Sequence, residues 1–208
     1  MTAVADRLPL PILQGERCLL RAYEAADAAA MQALADNPKV SYNLFEGFPL
    51  PYLAEHADAW CGHEANSGAF GYVWAITVDG VLAGTVGVQP LQGAGNRCNA
   101  EIGYWLGESW WGRGIASDAV RQVTDWVFAA LPQITRVYAS IYARNEPSQS
   151  TARKCGYVRE GLQKQAVVKQ GQVIDLTIWA TYRTEIARRD ADIGAALAAT
   201  AATAMERT

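Results

Sequence analysis

The chain has 208 residues, with Lys+Arg 18 against Asp+Glu 21 and a formal net charge of −3. Hydrophobic residues make up 50% and charged residues 19%, which supplies a sizeable core and excludes global disorder. The charge balance gives no basic footprint for nucleic acid, and no apolar run reaches the roughly 18 residues of a membrane span.

The length suits one domain. Residues 1–16, MTAVADRLPLPILQGE, are expected to be an extended, Pro-rich N-terminal arm with no signal-peptide pattern, so a cytoplasmic protein is expected. Arg17 to Tyr23 reads as a first strand. Glu24 to Asp36 is Ala-rich with helical spacing, and Asn37-Pro38 ends it. Val40 to Tyr52 carries too many Gly, Pro and Asn residues for a helix. A second helix is expected from about Leu53 to Ala65. Phe70–Val78 and Val81–Gln89 are strands flanking Asp79-Gly80, a two-residue hairpin turn by composition. Asn99–Leu106 is the next strand.

Ser117–Leu131 is predicted to be an amphipathic helix, because Val120, Val123, Val127 and Ala130 recur every three or four residues. Ile134–Tyr142 is a strand, Glu146–Cys155 a short helix stopped by Gly156. Tyr157–Val168 and Val173–Tyr182 form a last hairpin around Lys169-Gln170-Gly171. Residues 184–208 are an Ala-rich tail, expected to be helical or disordered. The order β-α-α-β-β-β-α-β-α-β-β predicts an α/β (α+β) domain over residues 17–183. Its central sheet should be mixed, mostly antiparallel and flanked by helices.

The chemistry concentrates in AEIGYWLGESWWGRGIASDAV, residues 100–120. A strand runs into Gly112-Arg113-Gly114-Ile115-Ala116, and a helix starts there. Glycines at 112 and 114 carry no Cβ to keep an anion from the backbone. Amides at the helix start converge on one spot, the helix dipole adds about half a positive charge there, and Arg113 adds a full one. A diphosphate is the natural guest; a plain glycine-rich turn is the bland alternative. No Gly-Lys-Ser/Thr follows, so this is not a phosphate-binding loop of the NTPase kind. A dinucleotide fingerprint is excluded by Asp118 and Ala119 near the third-glycine position.

Together with AEIGYWL and WWGRGIASDAV, three further segments carry a resemblance: Asn145-x-x-Ser148 followed by Lys154-Cys155-Gly156-Tyr157, the closing REGLQKQAVVKQGQVIDLTIWA, and the early DNPKVSYNLFEGFPLPY. In that order the chain resembles the GNAT acyltransferase superfamily, in the subgroup of the RimJ/RimL N-terminal acetyltransferases, from about Arg17 to Arg183. The position three before Gly114, usually Gln or Arg in the family, is Trp111. The resemblance implies an acyl-CoA co-substrate, acetyl-CoA first among them. Amides of Gly112, Arg113, Gly114, Ile115, Ala116 and Ser117 would hold the CoA pyrophosphate. Tyr104, Trp105 and Leu106 would pair through their backbone with pantetheine, in a slot where that strand splays from the next.

Transfer to an amine needs a base for the nucleophile and a donor for the leaving thiolate. Glu101 is the candidate base. By strand alternation it shares a face with Asn99, Gly103 and Trp105, opposite Ala100, Ile102, Tyr104 and Leu106. Asp175 and Glu160 are rivals. In the ribosomal-protein member of the family a carboxylate follows a similar Lys-Gln-Ala; here Lys164-Gln165-Ala166 is followed by Val167, which weakens transfer of that base and substrate. Ser148 is the candidate donor, with Ser150 and Tyr142 as alternatives. Asn145 is placed on the pantetheine, and both Asn145 and Ser148 read equally well as a helix start. Tyr42, Phe45 and Tyr52 are expected to line the acceptor pocket, with core or a homodimer surface as the other reading.

Cysteines 18, 61, 98 and 155 show no metal spacing, and His56 and His63 form no H-E-x-x-H. Reduced thiols and no metal are expected. The acceptor is a primary amine of a protein N-terminus or of a small molecule, and the negative charge favours a cationic one. A non-catalytic acyl-CoA-binding or sensing module is the competing function.

Overall fold

The computed structural model describes residues 8–184. Eight strands form one sheet: β1 (Leu13–Gln14), β2 (Leu19–Arg21), β3 (Tyr72–Val78), β4 (Val81–Pro90), β5 (Asn99–Leu106), β6 (Arg136–Tyr142), β7 (Val158–Lys169) and β8 (Gln172–Tyr182). Their order is β1-β2-β3-β4-β5-β6-β8-β7. Every neighbouring pair is antiparallel except β5–β6. A parallel pair needs a crossover, and helix α4 (Ile115–Ala130) supplies it. The expected mixed, mostly antiparallel sheet is what the chain forms.

Both tight hairpins follow from backbone chemistry. Asp79 and Gly80 have φ of 49° and 79°, and Gln170 and Gly171 have 51° and 73°. Two successive positive φ values are what a two-residue turn needs to match the twist of its strands. The second turn lies one residue later than its sequence suggested, because Lys169 still pairs with Gln172.

The helical regions differ in detail. The first is a 3-10 turn (Ala25–Asp27) leading into α1 (Ala28–Ala35). Asn37-Pro38 both ends α1 and starts a short helix, α2 (Pro38–Ser41), which runs into the first two residues of the stretch 40–52 expected to be non-helical. The Asn37 side chain accepts from the Lys39 amide at 2.9 Å, and Pro38 occupies the first turn, where its missing N–H costs nothing. Helix α3 (Ala54–Ala59) continues into a π turn over Trp60–Glu64. Residues 8–16 of the arm pack on the domain: β1 pairs with β2, and the Trp74 indole donates to the Pro11 carbonyl at 2.8 Å. The tail beyond residue 184 lies outside the described residues.

Two cores flank the sheet. On one face Ile115, Ala119, Val120, Val123 and Val127 of α4 pack on Trp74, Val86, Val88, Ile102 and Val137. On the other, Met31, Ala35, Ala57 and Cys61 pack on Val73, Ala75 and Leu82. Helix α4 is fastened at its start by Asp118, which is 5% exposed. Its carboxylate accepts the amides of Arg17 and Cys18 at 2.9 and 3.2 Å, and the Gln122 side chain at 3.2 Å. The Cys18 thiol also points at it, 3.4 Å away, and is pushed up to about 12 by burial and by that carboxylate. Asp118→Ala would leave the buried Cys18 amide and the part-buried Arg17 amide without their acceptor. The expected loss is roughly 1–3 kcal/mol of stability, measurable as a lower urea midpoint with an unchanged m-value.

Candidate active site

Strands β5 and β6 pair only at Asn99↔Arg136, Ala100↔Val137 and Glu101↔Tyr138. Beyond Glu101 they diverge, while β4 stays with β5 to Leu106 and β8 with β6 to Tyr142. The fork therefore leaves the β6-facing edge of residues 102–106 without a strand partner, over a length of about 15 Å. Buried backbone groups need partners, so this edge favours a ligand carrying amides.

Into the fork opens a cavity of about 490 Å³. One end is the turn after β5. Gly112 and Gly114 have φ of 74° and 75°, a left-handed conformation that costs glycine little. The first intrahelical bond of α4 runs from the Asp118 amide to the Gly114 carbonyl. The amides of Ile115, Ala116 and Ser117 precede it and face the cavity end of the helix. Arg113 stands there, stacked 5.2 Å over Trp110, and the side chain of Lys154 also lines the wall. No Asp or Glu is among the lining residues. An anion is favoured by amides, dipole and cations together. Trp111 takes the place usual for Gln or Arg; its indole donates to the Leu106 carbonyl at 2.8 Å and closes the end of β5.

At the other end sits α5 (Glu146–Lys154). Asn145 caps it, accepting the Ser148 amide at 3.3 Å. Both residues line the cavity, with Tyr104, Trp105 and Leu106 opposite. The Tyr104 hydroxyl lies 3.0 Å from both the Ser148 carbonyl and the Ser148 Oγ.

The residues 37–45 cross the mouth of the fork. On the β5 side, Asn37 donates to Glu108 at 2.9 Å and Lys39 forms an ion pair with the same carboxylate. On the β6 side, Tyr142 donates to the Leu44 carbonyl at 3.0 Å and Arg144 to the Tyr42 carbonyl at 2.8 Å, its guanidinium 3.8 Å over the Tyr42 ring. Lys169 donates to the Phe45 carbonyl at 3.1 Å. Lys39, Val40, Asn43 and Leu44 face the cavity.

The expected site residues are thus only partly brought together. Residues 104–106, 112–117, Asn145 and Ser148 line one cavity. Tyr42 and Phe45 are exposed beside it, and the wall from this segment is made by Lys39, Val40, Asn43 and Leu44. Tyr52 is displaced from its expected position on the acceptor lip: it is 4% exposed, stacked on Phe48 with 5.3 Å between ring centres, and belongs to the second core. Its aromatic surface is fully used in packing.

Glu101 is not on the cavity wall. It occupies the last paired position before the fork, on the opposite face of the sheet, and accepts the Tyr138 hydroxyl at 3.3 Å. Next on that face is Gly103, above which a Cβ would meet nothing within 4 Å. The rivals are engaged elsewhere. Glu160 pairs with Arg136 and accepts the Tyr182 hydroxyl, and the guanidinium holds its carboxyl below the usual range. Asp175 accepts the Gln165 amide at 2.7 Å, bracing a bulge in β7. Sequence reasoning missed the bracing role of Asp118, the wall residues Asn43 and Leu44, and the phenol of Tyr104. Only the last left a trace, as a polar residue on an otherwise apolar strand face.

The sequence profile of the acetyltransferase (GNAT) domain matches residues 17–158. The chain belongs to the GNAT acetyltransferase family. A GNAT relative from Bacillus licheniformis, the uncharacterized N-acetyltransferase p20, is 33% identical over 180 residues, covering 84% of this chain and 98% of its own. Two solved GNAT structures share the fold. The family member from Bacillus anthracis has a TM-score of 0.73 at 22% identity, with 84% of this chain and 99% of its own covered. RimJ from Mycobacterium smegmatis, solved with a CoA-disulfide, has 0.73 at 23%, with 85% and 89% covered. As a member of this GNAT family the protein is an N-acetyltransferase, in agreement with the expected acyl-CoA-dependent transfer.

The network beside Glu101 has a pH signature. Glu160 has a lowered pKa in the folded state, so its stabilisation is present above the ordinary carboxylate range and lost as pH falls through the folded value. Glu160→Gln should be less stable than the parent at pH 7 by no more than about 1 kcal/mol, as for an exposed pair. The gap should close below about pH 4, checked by urea denaturation at pH 7 and pH 3.

Proposed function

We propose that the protein moves an acetyl group from acetyl-CoA to the primary amine of a protein N-terminus or a small molecule. One observation carries the reading: a single fork in the sheet joins an anion cradle, an unpaired strand edge and a hydroxyl donor. The amides of Ile115, Ala116 and Ser117, with Gly112, Arg113, Gly114 and Lys154, hold the diphosphate of the co-substrate. On the edge formed by Tyr104, Trp105 and Leu106, the Tyr104 backbone and the Leu106 amide face the fork and pair with the pantetheine amides, and Asn145 adds a polar contact from α5. These residues fit the group, since the cavity carries cations and amides but no carboxylate.

Acetyl-CoA supplies an activated carbonyl with a thiolate leaving group. The new N–C bond forms as the C–S bond breaks, and the electron pair of that bond stays on sulfur. Ser148 donates a hydrogen bond to the leaving sulfur from the start of α5. Glu101, at the apex of the fork, takes the proton lost by the attacking amine, directly or through water. The amine then enters on the face of Glu101 and Gly103, opposite α4 and α5. Tyr42 and Phe45, exposed at the mouth, contact the acceptor, and a second copy of the chain is a candidate to cover the same aromatic loop.

A cytoplasmic location fits three features. The four cysteines form no disulfide, three of them are buried, and no helix among the described residues is long and apolar enough to cross a membrane.

A steady-state assay of CoA release against a panel of amines tests turnover; CoA binding without release for any amine would favour a sensing module. Two variants test the residues. Gly114→Glu places a carboxylate in the cradle at a positive φ, where an added Cβ also lies 3.1 Å from Arg17. Calorimetry should show acetyl-CoA binding lost, while circular dichroism shows a folded chain weakened by about 1–2 kcal/mol. Glu101→Gln should keep acetyl-CoA affinity and lower kcat/KM at least about tenfold, with the acidic limb of the pH–rate profile displaced. A wild-type rate and profile would remove Glu101 from the chemistry.

A further inference from the structure

Tyr104 sits on β5, half-buried on the cavity wall, and its hydroxyl is 3.0 Å from two oxygens of one residue, the carbonyl and the Oγ of Ser148. A phenol has one proton to donate. When that proton goes to the Ser148 carbonyl, the Ser148 hydroxyl donates back to the phenol oxygen and is withdrawn from the cavity. When it goes to Ser148 Oγ, the serine proton is released and free to point at a ligand atom. The two arrangements use the same heavy-atom positions and differ only in hydrogen placement.

We propose that Tyr104 is a positioning residue for the acyl transfer: its phenol switches between the two oxygens of Ser148 and so aims the serine hydroxyl at the leaving sulfur. This rests on the reading of Ser148 as donor to that sulfur. As negative charge grows on sulfur, the second arrangement gains, because the serine proton then serves the anion while the phenol supports Oγ from behind. Hydrogen bonds in such a chain polarise and strengthen one another. The phenol gives up no proton. Burial raises its pKa, which outweighs the lowering by the Ser148 bond, and keeps it a neutral donor. Ser148 also gives up none, since the departing thiolate takes its proton from solvent after release.

The geometry explains a polar group on this face of β5, whose other side chains, Ala100, Ile102 and Leu106, are buried and apolar. It also explains why the serine is presented at the first turn of α5. There the Asn145 cap fixes its backbone and leaves the hydroxyl rotor alone.

A double-mutant cycle in kcat, with acetyl-CoA and an accepted amine, decides between positioning and plain packing. Tyr104→Phe should lower kcat about five- to thirtyfold with the KM for acetyl-CoA within twofold of the parent. In the Ser148→Ala background, itself slow, the same substitution should have no further effect, because its target is gone. An equal loss in both backgrounds, or full activity of Tyr104→Phe, overturns the proposal. If Ser148→Ala turns over at the parental rate, the donor role of Ser148 fails and this inference fails with it; a slow Ser148→Ala with additive Tyr104→Phe sinks the positioning role alone. Site-specific 3-fluorotyrosine at position 104 serves if Tyr104→Phe does not fold, since it retains the ring and hydroxyl. It should change kcat in the parent and leave Ser148→Ala unmoved; no change in the parent overturns the proposal.

Discussion

The divergence of β5 from β6 after one parallel stretch is the constraint on which the rest of the site depends. A parallel pair forces the chain to cross over the sheet, and the crossover is α4. Its N-terminus therefore emerges at the end of β5, beside the edge that the divergence leaves bare. An anion cradle and an amide ladder become neighbours for the same topological reason. Their combination suits a ligand that is charged at one end and amide-rich along its length.

Helix α4 does two jobs with opposite electrostatics within one turn. Outward, its first amides and Arg113 present positive potential. Inward, Asp118 presents a carboxylate to the amides of Arg17 and Cys18. The inward contact fixes the helix against the residues just before β2, and Arg17 also reaches the Arg113 carbonyl behind the glycine turn at 3.3 Å. Rigidity of the cradle thus originates about 100 residues earlier in the chain, in the two residues that lead into β2.

Much of this was legible in the sequence because it is local. Strand alternation gave β3 to β5, the Asp79-Gly80 turn gave its hairpin, and the 3.6-residue period gave α4 to within two residues at its start. The glycine turn and the Asn145-x-x-Ser148 start are short-range patterns with direct chemical meaning. What stayed hidden depends on distant pairing. Asp118 looked like an ordinary residue in an early helical turn, because its partners lie at positions 17 and 18. Tyr52 looked like the other aromatics of its loop, and only the packing of Phe48 and α3 buries it. Asn37-Pro38 carries the signature of a helix stop, and the same two residues also satisfy the rules for a start.

The segment across the mouth of the fork is tied on both banks, to Glu108 beyond β5 and to Tyr142, Arg144 and Lys169 on the β6 side. Widening the fork would break several of these bonds together, so its aperture is a fixed dimension of the folded chain. A ligand that enters meets a slot already ordered, and little conformational entropy is lost when it binds. An opening held in that way is a rigid gauge for whatever enters it, set during folding and before any ligand arrives.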